Sequence, residues 1–180
     1  MRMQREDCLC VVIDQQEKLM PVIEGGQEVV QRTDVLLRGL QALGVPALVT
    51  RQYPKGLGDT VPALAEAAQG LAVHDKLAFS IMGEPEIRQA IADTGKKTVL
   101  ICGAEAHICV LQSVIDLLAE GYQVALLADA IGSRCRADKK IALRRAQQEG
   151  AMLSSVESIL FELTERAGSD TFKIISKLIK

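Results

Sequence analysis

Two spacings of apolar residues alternate along the chain. Cys8-Leu9-Cys10-Val11-Val12-Ile13 is apolar at every position, the pattern of a strand buried on both faces, and Asp14 stands at its C-terminal end. From about Glu28 to Leu43, Val29, Val30, Val35, Leu36, Leu37, Leu40 and Leu43 recur at helical spacing until Gly44 stops them. The alternation then repeats. Strands are predicted over Pro46 to Thr50, over Leu71 to His74 leading into Asp75-Lys76, over Val99 to Cys102 with Gly103 ending it, over Gln123 to Ala128 ending at Asp129, and over Ala151 to Ser154. Helices are predicted over Ala63 to Ala68, Glu84 to Ala92, from Cys109 to Gly121, Asp138 to Glu149 and Val156 to Arg166, with a last one capped by Ser169.

Strands that alternate with helices imply an α/β fold with a parallel sheet. The expected architecture is a doubly wound, Rossmann-like, six-stranded parallel sheet in the order 3-2-1-4-5-6, with helices on both faces. In that order strands 1 and 4 are neighbours at the switch point, where open α/β sheets bind ligands beyond their carboxyl ends. Asp14 and Cys109 follow those two strands. Gly103 belongs to no GxGxxG run, so dinucleotide binding has no support. The 180 residues suit one domain, 1-180, with no internal repeat, linker or low-complexity tract.

Composition narrows the partners. Apolar residues make up 48% and charged residues 24%, as in an ordinary globular protein. A net charge of −2 with scattered basic residues argues against nucleic acid and offers no basic membrane patch. No stretch reaches the ~20 apolar residues of a membrane helix, and Cys8 to Ile13 is too short for a signal sequence. The five cysteines match no zinc-ribbon or CxxC spacing, and their odd number suggests a reducing compartment. The expected setting is cytoplasmic, with a small-molecule substrate.

Candidate chemistry centres on the stretch Lys97 to Val110. It reads as a buried strand, a tight turn, and a helix with Cys109 in its first turn. Unpaired N–H groups and the positive end of the helix dipole favour a thiolate there. The competing reading of Cys109 is a small, inert, buried hydrophobe.

Several blocks together resemble the isochorismatase-like cysteine hydrolases. They are Val12-Ile13-Asp14-Gln15-Gln16, Lys76 with Phe79-Ser80, Gly103-Ala104-Glu105-Ala106-His107-Ile108-Cys109-Val110, and Asp129-Ala130 with Ser133-Arg134. The branch of isochorismatase domain-containing proteins is the nearest, through the third block and Arg51-Gln52-Tyr53-Pro54-Lys55-Gly56-Leu57-Gly58. The resemblance implies a catalytic triad of Asp14, Lys76 and Cys109. It also implies a cis peptide at Ala104–Glu105 and an oxyanion hole formed by the N–H groups of Glu105 and Cys109. Asp14 would take the Cys109 proton, and the thiolate would attack a small amide or related C–N substrate to give a thioester. Lys76 would keep both negative charges tolerable.

Around the triad, Gln16, Tyr53 and Phe79 are candidate substrate contacts, and the Glu105 side chain has no evident partner. Asp129 is read as holding its own turn, and His74 and His107 as structural. Nicotinamidases of the family carry an Asp-x-His metal site where this chain has Arg51-Gln52-Tyr53, so neither a metal nor another cofactor is expected. Relatives are commonly oligomeric, which implies a homo-oligomer. Two other functions stay open: isochorismate-type vinyl ether hydrolysis with Cys109 idle, and a non-catalytic binding protein with a reactive thiol.

Overall fold

The computed structural model describes residues 2–180. Six strands form one parallel sheet: β1 (Cys8–Ile13), β2 (Ala47–Gln52), β3 (Ala72–Lys76), β4 (Thr98–Ala104), β5 (Gln123–Gly132) and β6 (Met152–Ser154). Their order is β3-β2-β1-β4-β5-β6, as the alternation predicts. β1 sits between β2 and β4 and is buried along its whole length.

Seven helices flank the sheet: α1 (Gly26–Leu43), α2 (Pro54–Leu57), α3 (Pro85–Asp93), α4 (Leu111–Ala119), α5 (Arg136–Glu149), α6 (Val156–Thr164) and α7 (Asp170–Ile179). The two-residue period of β1 divides the core between the faces. Leu9, Val11 and Ile13 pack with Ile87 and Ile91 of α3, Val114 and Leu117 of α4, and Ala142 and Ala146 of α5. Cys8, Cys10 and Val12 pack with Leu36 and Leu40 of α1, Ile159 and Leu160 of α6, and Ile175 of α7. Among the described residues, no helix is long and apolar enough to cross a membrane.

The strands run further than their apolar runs. β2 continues to Gln52 and β3 to Lys76, because Arg51 pairs with Asp75 and Gln52 with Lys76 in the parallel ladder. β5 passes Asp129 and reaches Gly132, which pairs with Ala104 of β4. Backbone pairing carries these polar residues into the sheet, where hydropathy gives no signal. The helix predicted at Ala63 to Ala68 is absent; a single 3-10 turn, Pro62–Leu64, leads into further turns up to Gly70. The backbone there closes mainly in three-residue turns, Ala65 N–H to Pro62 O and Gln69 N–H to Glu66 O, between a proline and a glycine that bound the stretch.

Gly103 does not end β4; it lies inside the strand, opposite Ile13 of β1. Its φ is +122°, and a Cβ there would lie 1.9 Å from the Ile13 carbonyl oxygen. Only glycine permits this approach. Gly103→Ala is expected to lower stability by about 1–3 kcal/mol or more, read from urea unfolding; an unchanged midpoint would show that β1 and β4 can separate freely here.

Candidate active site

The site forms where β1, β2 and β3 end and where β4 turns into a helix. Asp14 is the first residue beyond β1, fully buried, with φ +51°. Its N–H donates to Thr50 O at 3.1 Å. The Thr50 hydroxyl donates to Asp14 Oδ1 at 2.8 Å. Lys76 closes β3, and its side chain is as buried as that of Asp14; Nζ lies 2.7 Å from Asp14 Oδ2.

An ammonium has three hydrogens and no lone pair. On Lys76 they go to Gln52 Oε1 at 2.5 Å, Phe79 O at 3.0 Å and Ala78 O at 3.2 Å. Asp14 Oδ2 is the fourth oxygen close to Nζ, so the ammonium serves these acceptors and pairs with the carboxylate in charge. Glu84 holds the loop that supplies two of these acceptors. Its Oε1 accepts the N–H groups of Leu77 and Ala78, both at 2.8 Å. These bonds hold the Glu84 carboxyl below the usual carboxylate range.

Beyond β4 the Ala104–Glu105 peptide bond is cis, and Ala106–Val110 forms one π-helical turn before α4. Cys109 sits in that wide turn, 6% exposed. Its Sγ faces Asp14 and Lys76 and lies 4.0 Å from Gln52 Oε1. Burial, then the Asp14 carboxylate, push the thiol up to about 12, against the pull of Lys76. This overturns the expectation of a thiol lowered by a helix start: desolvation and a like charge outweigh the backbone dipole. An upward push of this kind favours the thiol form at rest. Burial also raises the Asp14 carboxyl above its usual range, with Lys76 and then Thr50 opposing the rise.

The rest of the turn is held from β5. Glu105 is nearly buried, and both its oxygens lie 3.1 Å from Arg134 Nε, with Oε2 also accepting the Arg134 N–H at 3.0 Å. His107 Nδ1 lies 2.9 Å from Ser133 Oγ, a structural role as expected. The extension of β5 to Gly132 is what brings Ser133 and Arg134 against the turn. The Glu105 N–H, between strand and turn, has no acceptor among the described residues.

The remaining candidates separate. Gln16 is fully buried and committed to the backbone: Nε2 donates to Gln52 O at 3.0 Å and Gly58 O at 2.8 Å, while Oε1 accepts the Gln52 N–H at 2.7 Å. It braces the end of β2 rather than facing a ligand. Tyr53 and Phe79 are about half exposed and flank Lys76, Tyr53 N–H donating to Lys76 O and Phe79 O accepting from Nζ. Asp129 does not hold its own turn. Its Oδ1 accepts the Val156 N–H at 2.9 Å and so caps the start of α6.

Sequence reasoning missed Thr50 and Gln52. Their two-residue spacing places both on the same face of β2, one touching Asp14 and the other Lys76 and Cys109. A polar pair of that spacing at the end of an apolar strand was the available signal.

The family model for the isochorismatase domain matches residues 8–158. Isochorismatase domain-containing protein 2 of Danio rerio is 37% identical over 179 residues, covering 99% of this chain and 89% of the relative. The structure of MAR1 ribonuclease from Caenorhabditis elegans superposes with a TM-score of 0.93 at 35% identity, covering 99% of this chain and 92% of that one. The YcaC gene product from Escherichia coli, described as an octameric hydrolase of unknown specificity, superposes with a TM-score of 0.93 at 21% identity, covering 99% and 89%. That last likeness concerns the fold.

Proposed function

The chain belongs to the isochorismatase family, and from that premise we propose that it is a cysteine hydrolase of a small amide or related C–N substrate. One observation carries the reading: a buried carboxylate oxygen, Asp14 Oδ2, lies 2.7 Å from a buried ammonium and beside the Cys109 thiol. A buried carboxylate beside a thiol is the arrangement a general base requires.

The steps balance as follows. Asp14 takes the Cys109 proton as Sγ bonds to the substrate carbonyl carbon. The Glu105 and Cys109 N–H groups hold the oxyanion. The C–N bond breaks, and the proton on Asp14 leaves with the amine. Water then adds to the thioester, giving up a proton to the Asp14 carboxylate; the C–S bond breaks, and that proton returns to sulfur. One water is consumed, and one acid and one amine are released. Lys76 steadies the charge that moves between Asp14 and Cys109. Tyr53 and Phe79 line the approach.

Ammonia release from a panel of small primary amides tests this reading, and turnover of none of them overturns it. The pH profile is a second check. Because burial raises Asp14, the base is lost as pH falls through that raised value. The acid limb of kcat/KM is expected above the ordinary aspartate value of ~3.9. With the thiol up at about 12, no limb from a low-pKa thiolate is expected near neutrality. A limb near pH 3–4, on the order of an unperturbed carboxyl, would remove Asp14 as the base.

The raised Asp14 carboxyl also favours a second reading, protonation of a vinyl ether by Asp14 with Cys109 idle; ether hydrolysis that survives Cys109→Ser would select it. The ribonuclease activity in the nematode protein's name would call for a basic track along the surface, and the net charge of −2 supplies no excess of cations for one. The five cysteines are all unpaired, which suits a reducing cytoplasm. A homo-oligomer, as printed for the E. coli protein, would cover the exposed Val73 and Leu77 along and beyond the edge strand β3. Sedimentation velocity reads that assembly directly.

A further inference from the structure

Gln52 is the one polar side chain that touches both Lys76 and Cys109 and has no part in the hydrolytic steps above. It is held rigidly. Gln16 clasps its backbone on both sides, at 2.7 Å to the N–H and 3.0 Å to the carbonyl. Its Nε2 donates to Leu77 O at 2.9 Å. Because the Lys76 ammonium can only donate, the amide oxygen must be the atom turned toward it, at 2.5 Å. A carbonyl oxygen has two lone pairs. Lys76 takes one, and the Cys109 thiol donates weakly toward the other from 4.0 Å, so that lone pair is released when sulfur gives up its proton.

The polarity of the walls around the sulfur is therefore one-sided. Beside Lys76 stand two acceptor oxygens, Asp14 Oδ2 and Gln52 Oε1, and the Cys109 thiol is directed at the second. The three Lys76 hydrogens already have partners, so this wall offers no donor. The Glu105 N–H, in the turn that leads to Cys109, has no acceptor among the described residues, and the oxyanion position proposed above draws on it.

We propose that Gln52 determines specificity by accepting an N–H of the leaving nitrogen, so that the site takes substrates whose leaving group carries hydrogen on nitrogen and disfavours matched esters. The proposal rests on the cysteine hydrolase reading and deepens it. An amide presents a carbonyl oxygen to the donor side and an N–H to the acceptor wall. An ester would set a lone pair against Gln52 Oε1 and leave it unpaired, a mismatch that a site built for hydrogen bonding rejects strongly.

The test compares acetanilide with phenyl acetate as single-turnover donors of an acetyl group to Cys109, followed by intact-protein mass spectrometry in the wild type and in Gln52→Met. Whatever the variant costs the charged pair, it costs both donors, so the anilide-to-ester rate ratio isolates the N–H contact. The ratio is expected to fall about tenfold in Gln52→Met; a fall of less than about threefold overturns the proposal. A wild-type protein acetylated by neither donor would count against the hydrolase reading instead. Gln52 is then decided by crystals of Cys109→Ser soaked in benzamide. The amide nitrogen on Gln52 Oε1 supports the proposal. A nitrogen turned away from it, or no benzamide at a saturating soak, overturns it.

Discussion

Serine in place of Cys109 is expected to lower kcat/KM on an amide substrate by about 10⁴-fold or more, with the urea midpoint almost unmoved. The two effects separate because the side chain has two roles of unequal weight. As a packing element it is a small group in the core on one face of the sheet, and a hydroxyl fills nearly the same space. Its new O–H finds the acceptor that the thiol already faces, Gln52 Oε1, with the Asp14 carboxylate beside it, so no buried donor is stranded. As a nucleophile the exchange is severe. The thiol already stands at about 12 because of burial and the Asp14 carboxylate. A hydroxyl in the same place is a far weaker acid, and Asp14 cannot draw off its proton as the attack proceeds. Amide turnover that persists undiminished in Cys109→Ser, with the fold intact, would rule out sulfur as the attacking atom.

What the sequence discloses and what it hides divide along physical lines. β1 is legible residue by residue, because six consecutive apolar residues permit only a strand covered on both faces. The parallel sheet follows from the helices between strands, which make crossovers of one hand, and its order is the one most common among doubly wound sheets. The ends of β2, β3 and β5 are not legible. Gln52, Lys76 and Gly132 join the sheet through backbone pairing, and pairing leaves no trace in hydropathy. Asp14 and Cys109 could be placed together by the switch-point rule, whereas Lys76 entered only through resemblance to a family. The partner of Glu105 lies 29 residues away in Arg134, beyond any local pattern. The thiol's upward shift was equally hidden: it depends on how deeply the π turn is covered, which no spacing of residues reports.

Methionine in place of Lys76 tests the pair from the other side. The variant is expected to lose about 3–5 kcal/mol of stability, the usual cost of leaving a buried charge without its partner, and most of its activity. Methionine matches the length of the lysine stem and keeps its packing, so the loss measures the ammonium itself. Without it, Gln52 Oε1, Ala78 O and Phe79 O lose a donor together, and Asp14 loses the cation that opposes its burial. Asp14 then rises further and holds a proton, and a protonated carboxyl is no base; about 10²-fold or more of rate goes with it. The pH dependence carries a definite sign. Asp14 is raised in the folded protein, so the native state binds the extra proton between the ordinary aspartate value and the raised one. Stability falls as pH climbs through that window. Lys76→Met stretches the window upward, so its deficit against wild type widens as pH rises from about 4. Adding Asp14→Asn removes the charge, and the double variant is expected to be more stable than Lys76→Met alone while remaining inactive. Urea titrations at several pH values decide the matter: a deficit that stays flat with pH, or a double variant no better than the single, would mean that Lys76 serves the fold through its hydrogen bonds and not by holding the Asp14 charge.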